Sequence, residues 1–135
     1  RDSLKYKDPR VVKAIELDDA GRHSAAMKAY EALSSDTALR VIAYRNMARC
    51  LLEHQHRVPE AFTAIDQAVA YDPNEAVNYN HRGLMFQSVG LTNRALEDLE
   101  RSLQLAETDV ERRIAHLNIG SVHMQVRAWE KEHVK

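Results

Sequence analysis

Residues 76–107 read AVNYNHRGLMFQSVGLTNRALEDLERSLQLAE, and this stretch contains two helical patterns that Gly90 separates. The first pattern spans residues 74–89 and places four residues, three or four positions apart, on one helix face: Tyr79, Arg82, Gly83 and Phe86. The second spans residues 92–106 and carries an apolar stripe of Ala95, Leu96, Leu99 and Leu103. The stretch therefore predicts a helix, a turn and a second helix.

Small residues mark the place where these two helices must approach each other most closely. Gly83 and Ala95 stand at that place, because a side chain larger than a methyl group would push the helices apart. Tyr79, Phe86 and Leu99 are the large residues that fill the remaining space. The pattern thus predicts a tightly packed antiparallel helix pair.

The same pattern recurs along the chain. The close-contact place of the first helix returns at intervals of 34, 35 and 37 residues, in the series Ala14, Ala48, Gly83 and Gly120. The small residue of the second helix returns at intervals of 35 and 34 residues, in the series Ala26, Ala61 and Ala95. A fixed period of this length indicates stacked helix pairs.

This period and the small and large residues that carry it resemble the tetratricopeptide repeat. The resemblance implies an all-α fold, a right-handed superhelical solenoid of antiparallel helix pairs with three full units and a partial fourth. We expect a polar lead-in at residues 1–6 and one domain over residues 7–135, with repeats at about 7–40, 41–75, 76–109 and 113–135. The last repeat is expected to have a second helix cut short, a polar helix over residues 128–135.

The amino-acid composition speaks against some classes of function and favours a cellular compartment. Lys and Arg total 19 against 20 Asp and Glu, so no net charge favours nucleic acid. The longest apolar runs are too short to span a membrane, and the start lacks a signal-peptide pattern. Cys50 is the only cysteine, which favours a reducing compartment, and we expect a cytoplasmic location. Because the chain begins with Arg1, we also expect it to be a domain or fragment of a longer protein.

Motifs of enzyme chemistry do not occur in the chain. It has no glycine-rich phosphate loop, no dinucleotide fingerprint and no nucleophile elbow. Among seven histidines, His54 and His56 lie two residues apart in a loop, and His116 and His123 lie seven apart on a helix. Metal-binding helices use spacings of three or four. We therefore expect no catalytic residues, no metal site and no cofactor.

The resemblance implies that the first helix of each repeat lines a concave groove, and that this groove binds a peptide or helix of a partner protein. The expected groove residues are Arg45, Asn46, Arg49, Asn80, His81, Leu84 and Asn118. Asparagine amides can pair with a peptide backbone, and arginine can hold a carboxylate through two parallel hydrogen bonds. The sequence thus predicts a non-catalytic adaptor or scaffold whose ligand has apolar and acidic character.

Some members of the family hold the C-terminal carboxylate of a chaperone in a clamp of Lys, Asn and Arg. In this chain the corresponding places carry Val11, Ile15, Asn46, Val77 and His81. Only Asn46 matches, and aliphatic side chains cannot donate hydrogen bonds to a carboxylate. A clamp of that type is not expected here.

Two other functions are alternatives to groove binding. A structural or self-associating domain would use exposed surface of the C-terminal repeat, around Ile119, Val122, Val126 and Trp129. Nucleic-acid binding would need a basic stripe, for which the candidates are Arg45, Arg49, Arg82 and Arg94. The balanced net charge speaks against the second of these, so no nucleic-acid partner and no membrane insertion are expected.

Overall fold

The computed structural model describes residues 4–134, and every regular element between those residues is helical. A 3₁₀ turn at Lys5–Lys7 precedes seven α-helices: α1 (Pro9–Asp19), α2 (His23–Leu33), α3 (Arg40–Glu53), α4 (Val58–Tyr71), α5 (Ala76–Ser88), α6 (Thr92–Leu105) and α7 (Asp109–His133). The predicted all-α class of consecutive helix pairs is therefore confirmed.

The chain divides into two compact halves, an N-terminal half (Arg1–Pro73) and a C-terminal half (Asn74–Lys135). In the N-terminal half α1 packs on α2, α2 on α3 and α3 on α4. The fully buried residues of this half include Tyr30, Ile42 and Ile65. In the C-terminal half α5 packs on α6, and α7 packs on both. Leu99, Ala95 and Val122 form the buried centre of that half, with Phe86 and Ile119 partly buried against them.

Local signals set the helix ends. Asp8 caps α1 by accepting a hydrogen bond from the Arg10 backbone N–H at 2.9 Å, directly before Pro9 at the first helical position. Arg10 in turn donates to the Asp8 side chain, and these hydrogen bonds lower the pKa of the Asp8 carboxyl. Gly21 and Gly90 follow α1 and α5 with φ of +82° and +83°, a conformation that glycine adopts without steric cost.

The small residues of the repeat pattern lie where the pattern places them. Five of them are completely buried between neighbouring helices: Ala14, Ala26, Ala48, Ala61 and Ala95. At Gly83 an added Cβ would lie 2.8 Å from Cγ of Leu99 and 3.2 Å from the backbone oxygen of Ala95. Gly120 differs, because an added Cβ there would meet no atom of residues 4–134 within 4 Å beyond the nearby backbone of its own helix. The small residue on the first helix is therefore closely packed in each of the first three repeats, whereas Gly120 in the fourth is not.

The C-terminal end of the chain differs from the prediction of a separate helix over residues 128–135. No separate helix begins at Ala128, since α7 continues through it to His133. Neither Gly nor Pro occurs after Gly120, so nothing in the local sequence interrupts the helix. Lys135 and residues 1–3 lie outside the described residues. The N-terminal segment forms a 3₁₀ turn at residues 5–7, and the bounds predicted for the polar lead-in stay a prediction.

Thr108 and Glu111 stand three residues apart at the start of α7, the spacing of a capping box, and the structure forms half of that motif. Thr108 Oγ1 accepts a hydrogen bond from the Glu111 backbone N–H at 3.1 Å, as the capping box predicts. The Glu111 carboxylate accepts from the backbone N–H of Glu107 instead of that of Thr108. Within the described residues, no helix is both long enough and apolar enough to cross a membrane.

Candidate peptide-binding surface

The N-terminal half buries two of its three predicted groove residues. Arg45 is 1% exposed, and its Nη2 donates a hydrogen bond of 3.0 Å to the hydroxyl of Tyr6, in the N-terminal turn. Asn46 is 6% exposed, and its amide Nδ2 donates to the Ile42 carbonyl one turn earlier in α3. Arg45 is thus held in the interior of this half, in contact with the N-terminal turn.

Arg49 is the predicted groove residue of this half that retains exposed surface. Its side chain is 36% exposed, and Nη2 lies 3.8 Å from Oδ2 of Asp18 on α1. At that distance the two side chains form an ion pair without a hydrogen bond, since hydrogen bonds of this kind are about 2.7–3.2 Å long. Of the three residues, Arg49 has the most accessible charge.

The C-terminal half brings two predicted groove residues into direct contact. The amide Nδ2 of Asn118 on α7 donates a hydrogen bond of 2.8 Å to Oδ1 of Asn80 on α5, and both residues are half-buried. Two turns further along α5 and one turn further along α7, Nε2 of Gln87 donates to Oγ of Ser121 at 3.2 Å. These polar contacts join the first helix of the third repeat to α7.

A pocket of about 230 Å³ opens beside this amide pair. Its wall includes Asn80, His81, Val77 and Ile114, and the exposed atoms of the wall are mostly apolar. Two predicted groove residues thus line one concave feature. Leu84, the remaining predicted residue of this half, lies on the same helix and is exposed.

Exposed apolar side chains follow α7. Leu117 is 66% exposed and Met124 is 70% exposed, and Ile114 is also exposed. Large apolar residues at this exposure, grouped on one helix, are typical of interaction surfaces.

The basic stripe considered for nucleic acid does not exist as a row of free cations. Arg45 is buried, and Arg82 makes two hydrogen bonds to the carboxylate of Asp98, at 2.8 and 3.0 Å. Arg94 lies over the ring of Phe86, at 5.9 Å from its centroid. The arginines that were candidates for one basic stripe therefore make different contacts.

Most of the residues predicted for self-association are not among the exposed apolar residues of α7. Val122 is completely buried, and Ile119 packs against the buried centre of the C-terminal half. Val126 is half-buried, so only Trp129 of the four is largely exposed. The reason is that α7 turns this face to α6, a contact that the helical period alone cannot assign.

One solved structure provides a direct comparison. It is the first tetratricopeptide-repeat domain of Spaghetti (RPAP3) bound to the HSP90 peptide SRMEEVD. The two chains are 18% identical with a TM-score of 0.69, and the match covers 85% of this chain and 88% of that one. The fold is that of a tetratricopeptide-repeat domain. No family sequence profile matches the chain, and neither does any curated protein sequence.

The predicted groove residues differ in their contacts even where they occupy equivalent places of the tetratricopeptide repeat. Asn46 and Asn118 occupy equivalent places in their repeats, but only Asn118 reaches a partner amide across a helix boundary. Sequence reasoning also missed a polar cluster in the N-terminal half, made of Asp18, His23 and His54. No local signal predicts that cluster, because its members belong to three separate helices or their ends.

Proposed function

We propose that this tetratricopeptide-repeat domain is a non-catalytic adaptor or scaffold that binds a peptide or helix of a partner protein. Its ligand surface in the C-terminal half consists of Asn80, His81, Leu84, Ile114 and Asn118. Arg49 is the exposed member of the proposed surface of the N-terminal half, to which the buried Arg45 and Asn46 of the same helix also belong.

The amide pair of Asn80 and Asn118 carries this proposal. Each amide has a donor and an acceptor, and the single bond between them uses one donor and one acceptor. The Nδ2 of Asn80 and the Oδ1 of Asn118 have no hydrogen-bond partner among residues 4–134. A peptide bond offers the complementary C=O and N–H, so an extended chain can pair with both amides at once.

The apolar atoms around the pair supply the second part of recognition. Val77 and Ile114 line the pocket, and Leu84 is exposed on α5 two turns after Val77. Each apolar ligand side chain that fills such a surface contributes about 25 cal/mol per Å² of area removed from water. The combination of amide donors and apolar walls favours a peptide with apolar side chains.

The solved neighbour supports the same class of function, since it is a tetratricopeptide-repeat domain with a peptide bound. A cytoplasmic location is also part of the proposal. The free thiol of Cys50 is buried and is compatible with a reducing compartment.

The first test is an affinity pull-down with crosslinking and mass spectrometry, comparing the chain with an Asn80→Ala/Asn118→Ala variant. We expect partners of the groove to be lost with this variant, and their affinity to fall about tenfold or more, because two hydrogen bonds to the peptide backbone disappear. Crosslinks from the wild-type chain should map the ligand segment to α5 and α7.

The matched control replaces two exposed amides on other helices, Gln67→Ala on α4 and Asn93→Ala on α6. Circular dichroism should show equal helicity for all three proteins. If the groove variant retains every partner that the control retains, recognition does not use the amide pair. Crosslinks between identical copies through Leu117 and Met124 would instead favour self-association, the second candidate, which the exposure of these two residues supports.

A second test uses the peptide SRMEEVD, the ligand in the neighbouring structure. We expect no saturable binding to this chain up to about 1 mM peptide, which corresponds to a binding free energy weaker than about 4 kcal/mol. The reason is that Val11, Ile15 and Val77 stand at clamp places that need hydrogen-bond donors, and Val11 is buried. Calorimetric titration, with the neighbour domain as positive control, measures this. Micromolar binding would show that other residues hold the terminal carboxylate.

A further inference from the structure

Three side chains with metal-ligand chemistry meet in the N-terminal half. Asp18 lies near the end of α1, His23 is the first residue of α2, and His54 is the residue that follows α3. One ligand atom of each side chain lies within 4.8 Å of those of the other two. The rings of His23 and His54 are parallel to within 7°, with centroids 4.1 Å apart. The cluster therefore joins three helices of two consecutive repeats.

The Asp18 carboxylate is the buried member of the cluster. Its side chain is 1% exposed, and Oδ1 lies 2.6 Å from Nδ1 of His23. Oδ2 is buried and has no hydrogen-bond partner among the described residues. The nearest cation to it is Arg49 Nη2 at 3.8 Å, beyond hydrogen-bond distance. A carboxylate removed from water needs a close cation or several donors, and this one has an unsatisfied oxygen.

We propose that Asp18, His23 and His54 form a binding site for one divalent transition-metal ion of the zinc, cobalt or nickel class. Two imidazoles and one carboxylate are a donor set that these ions prefer, whereas magnesium and calcium prefer oxygen donors alone. Three protein ligands leave a further coordination position for water. This proposal reverses the expectation that the chain has no metal site.

The geometry requires a small closure of the cluster. Ligand atoms around tetrahedral zinc are about 3.3 Å apart, because each lies about 2.0 Å from the metal. His54 can make this adjustment because it is exposed and follows the last turn of α3. Arg49 has to turn away from Asp18 as the ion enters, and its side chain already has 36% of its surface in solvent.

Cys50 lies in the same region and is not part of the proposed ligand set. Its thiol is buried, and burial raises its pKa to about 12, with the Asp18 carboxylate acting in the same direction. Among the described residues, the side chains whose ligand atoms all lie within 4.8 Å of one another are those of Asp18, His23 and His54, and Cys50 is not one of them. The ligand set therefore consists of one oxygen and two nitrogens.

The test titrates the untagged chain with zinc chloride at pH 7.5 in a calorimeter and records cobalt absorption spectra in parallel. We expect one zinc per chain, and visible cobalt bands typical of a site with nitrogen and oxygen ligands. The variant His54→Ala should weaken zinc binding by about 100-fold, since loss of a supporting outer residue alone weakens metal sites by about 10- to 100-fold. His23→Ala should do the same.

The matched control is His56→Ala, which removes an exposed histidine two residues from His54 and outside the cluster. This variant should bind zinc as the wild-type chain does. Equal losses in His54→Ala and His56→Ala would overturn the proposal, as would wild-type affinity in both His23→Ala and His54→Ala. Absence of zinc binding by the wild-type chain at about 1 mM would overturn it directly.

We expect the His54→Ala variant to fold as the wild-type chain does, because His54 lies outside the helices and its replacement removes no buried apolar group. Circular dichroism checks that each variant keeps its helicity. Zinc should also raise the melting temperature of the wild-type chain, because an ion that binds only the folded state stabilises it. His54→Ala should show no such increase.

Discussion

Replacement of Gly83 by valine is expected to lower the free energy of unfolding by about 3 kcal/mol, the upper part of the range for overpacked cores. The first carbon of the new side chain would lie 2.8 Å from Leu99 Cγ and 2.9 Å from Cδ2. Leu99 is completely buried and cannot swing into solvent. The backbone oxygen of Ala95, at 3.2 Å, blocks the other side, so α5 and α6 have to separate.

Gly120→Val is the matched control for this experiment. Gly120 stands at the equivalent place of the next repeat, but within the described part of the chain an added Cβ would meet no atom within 4 Å beyond the nearby backbone of its own helix. Its replacement should change the free energy of unfolding by no more than about 0.5 kcal/mol, as for an ordinary surface substitution. Urea denaturation followed by circular dichroism measures both. If both variants lose a similar amount of unfolding free energy, the close approach of α6 to Gly83 is not the cause of the loss.

Arg82→Met is expected to destabilise the chain by about 2–3 kcal/mol. Arg82 on α5 holds Asp98 on α6 through two hydrogen bonds of 2.8 and 3.0 Å. Asp98 is only 7% exposed, so its carboxylate would stay buried after the arginine is removed. Breaking a fully buried pair costs about 3–5 kcal/mol, and partial exposure of Arg82 reduces the expected value.

Arg57→Met is the control for the ion pair. Arg57 lies 2.9 Å from Glu60, the same kind of contact, but both side chains are about half exposed. Pairs of this kind contribute about 0–1 kcal/mol. Denaturation midpoints of the two variants therefore separate the effect of burial from the effect of the contact. If Arg57→Met costs as much as Arg82→Met, the buried state of Asp98 is not the cause. The double variant Arg82→Met/Asp98→Leu should recover part of the loss, because no buried charge remains.

The candidate peptide-binding surface was predictable in part. Repeat register predicts Asn80, His81 and Asn118 on one surface; Asn80 and Asn118 are hydrogen-bonded, and His81 lines the same pocket as Asn80. Arg45 was placed there by the same reasoning, yet it is buried. Register says which helix face a residue occupies. It cannot say that Tyr6, 39 positions earlier, lies against Arg45.

The sequence by itself determined the helices and their pairing. Asp8 with Pro9 starts α1, Gly90 ends α5, and the spacing of Ala26, Ala61 and Ala95 places the second helix of each repeat. These signals act over one or two helical turns, so they are legible in a single sequence. The end of α7 was missed because no such signal separates Ala128 from the helix before it.

Only the tertiary structure decided which side chains meet across helices. Leu99 and Ala95 lie close to Gly83, whereas Gly120 has open space beside it. Arg82 binds Asp98 of the next helix. The cluster of Asp18, His23 and His54 comes from three helices or their ends. The physical reason is that burial and partner choice depend on distances between elements far apart in the chain. A helical period fixes the direction of a side chain within its helix, whereas packing fixes what that side chain contacts.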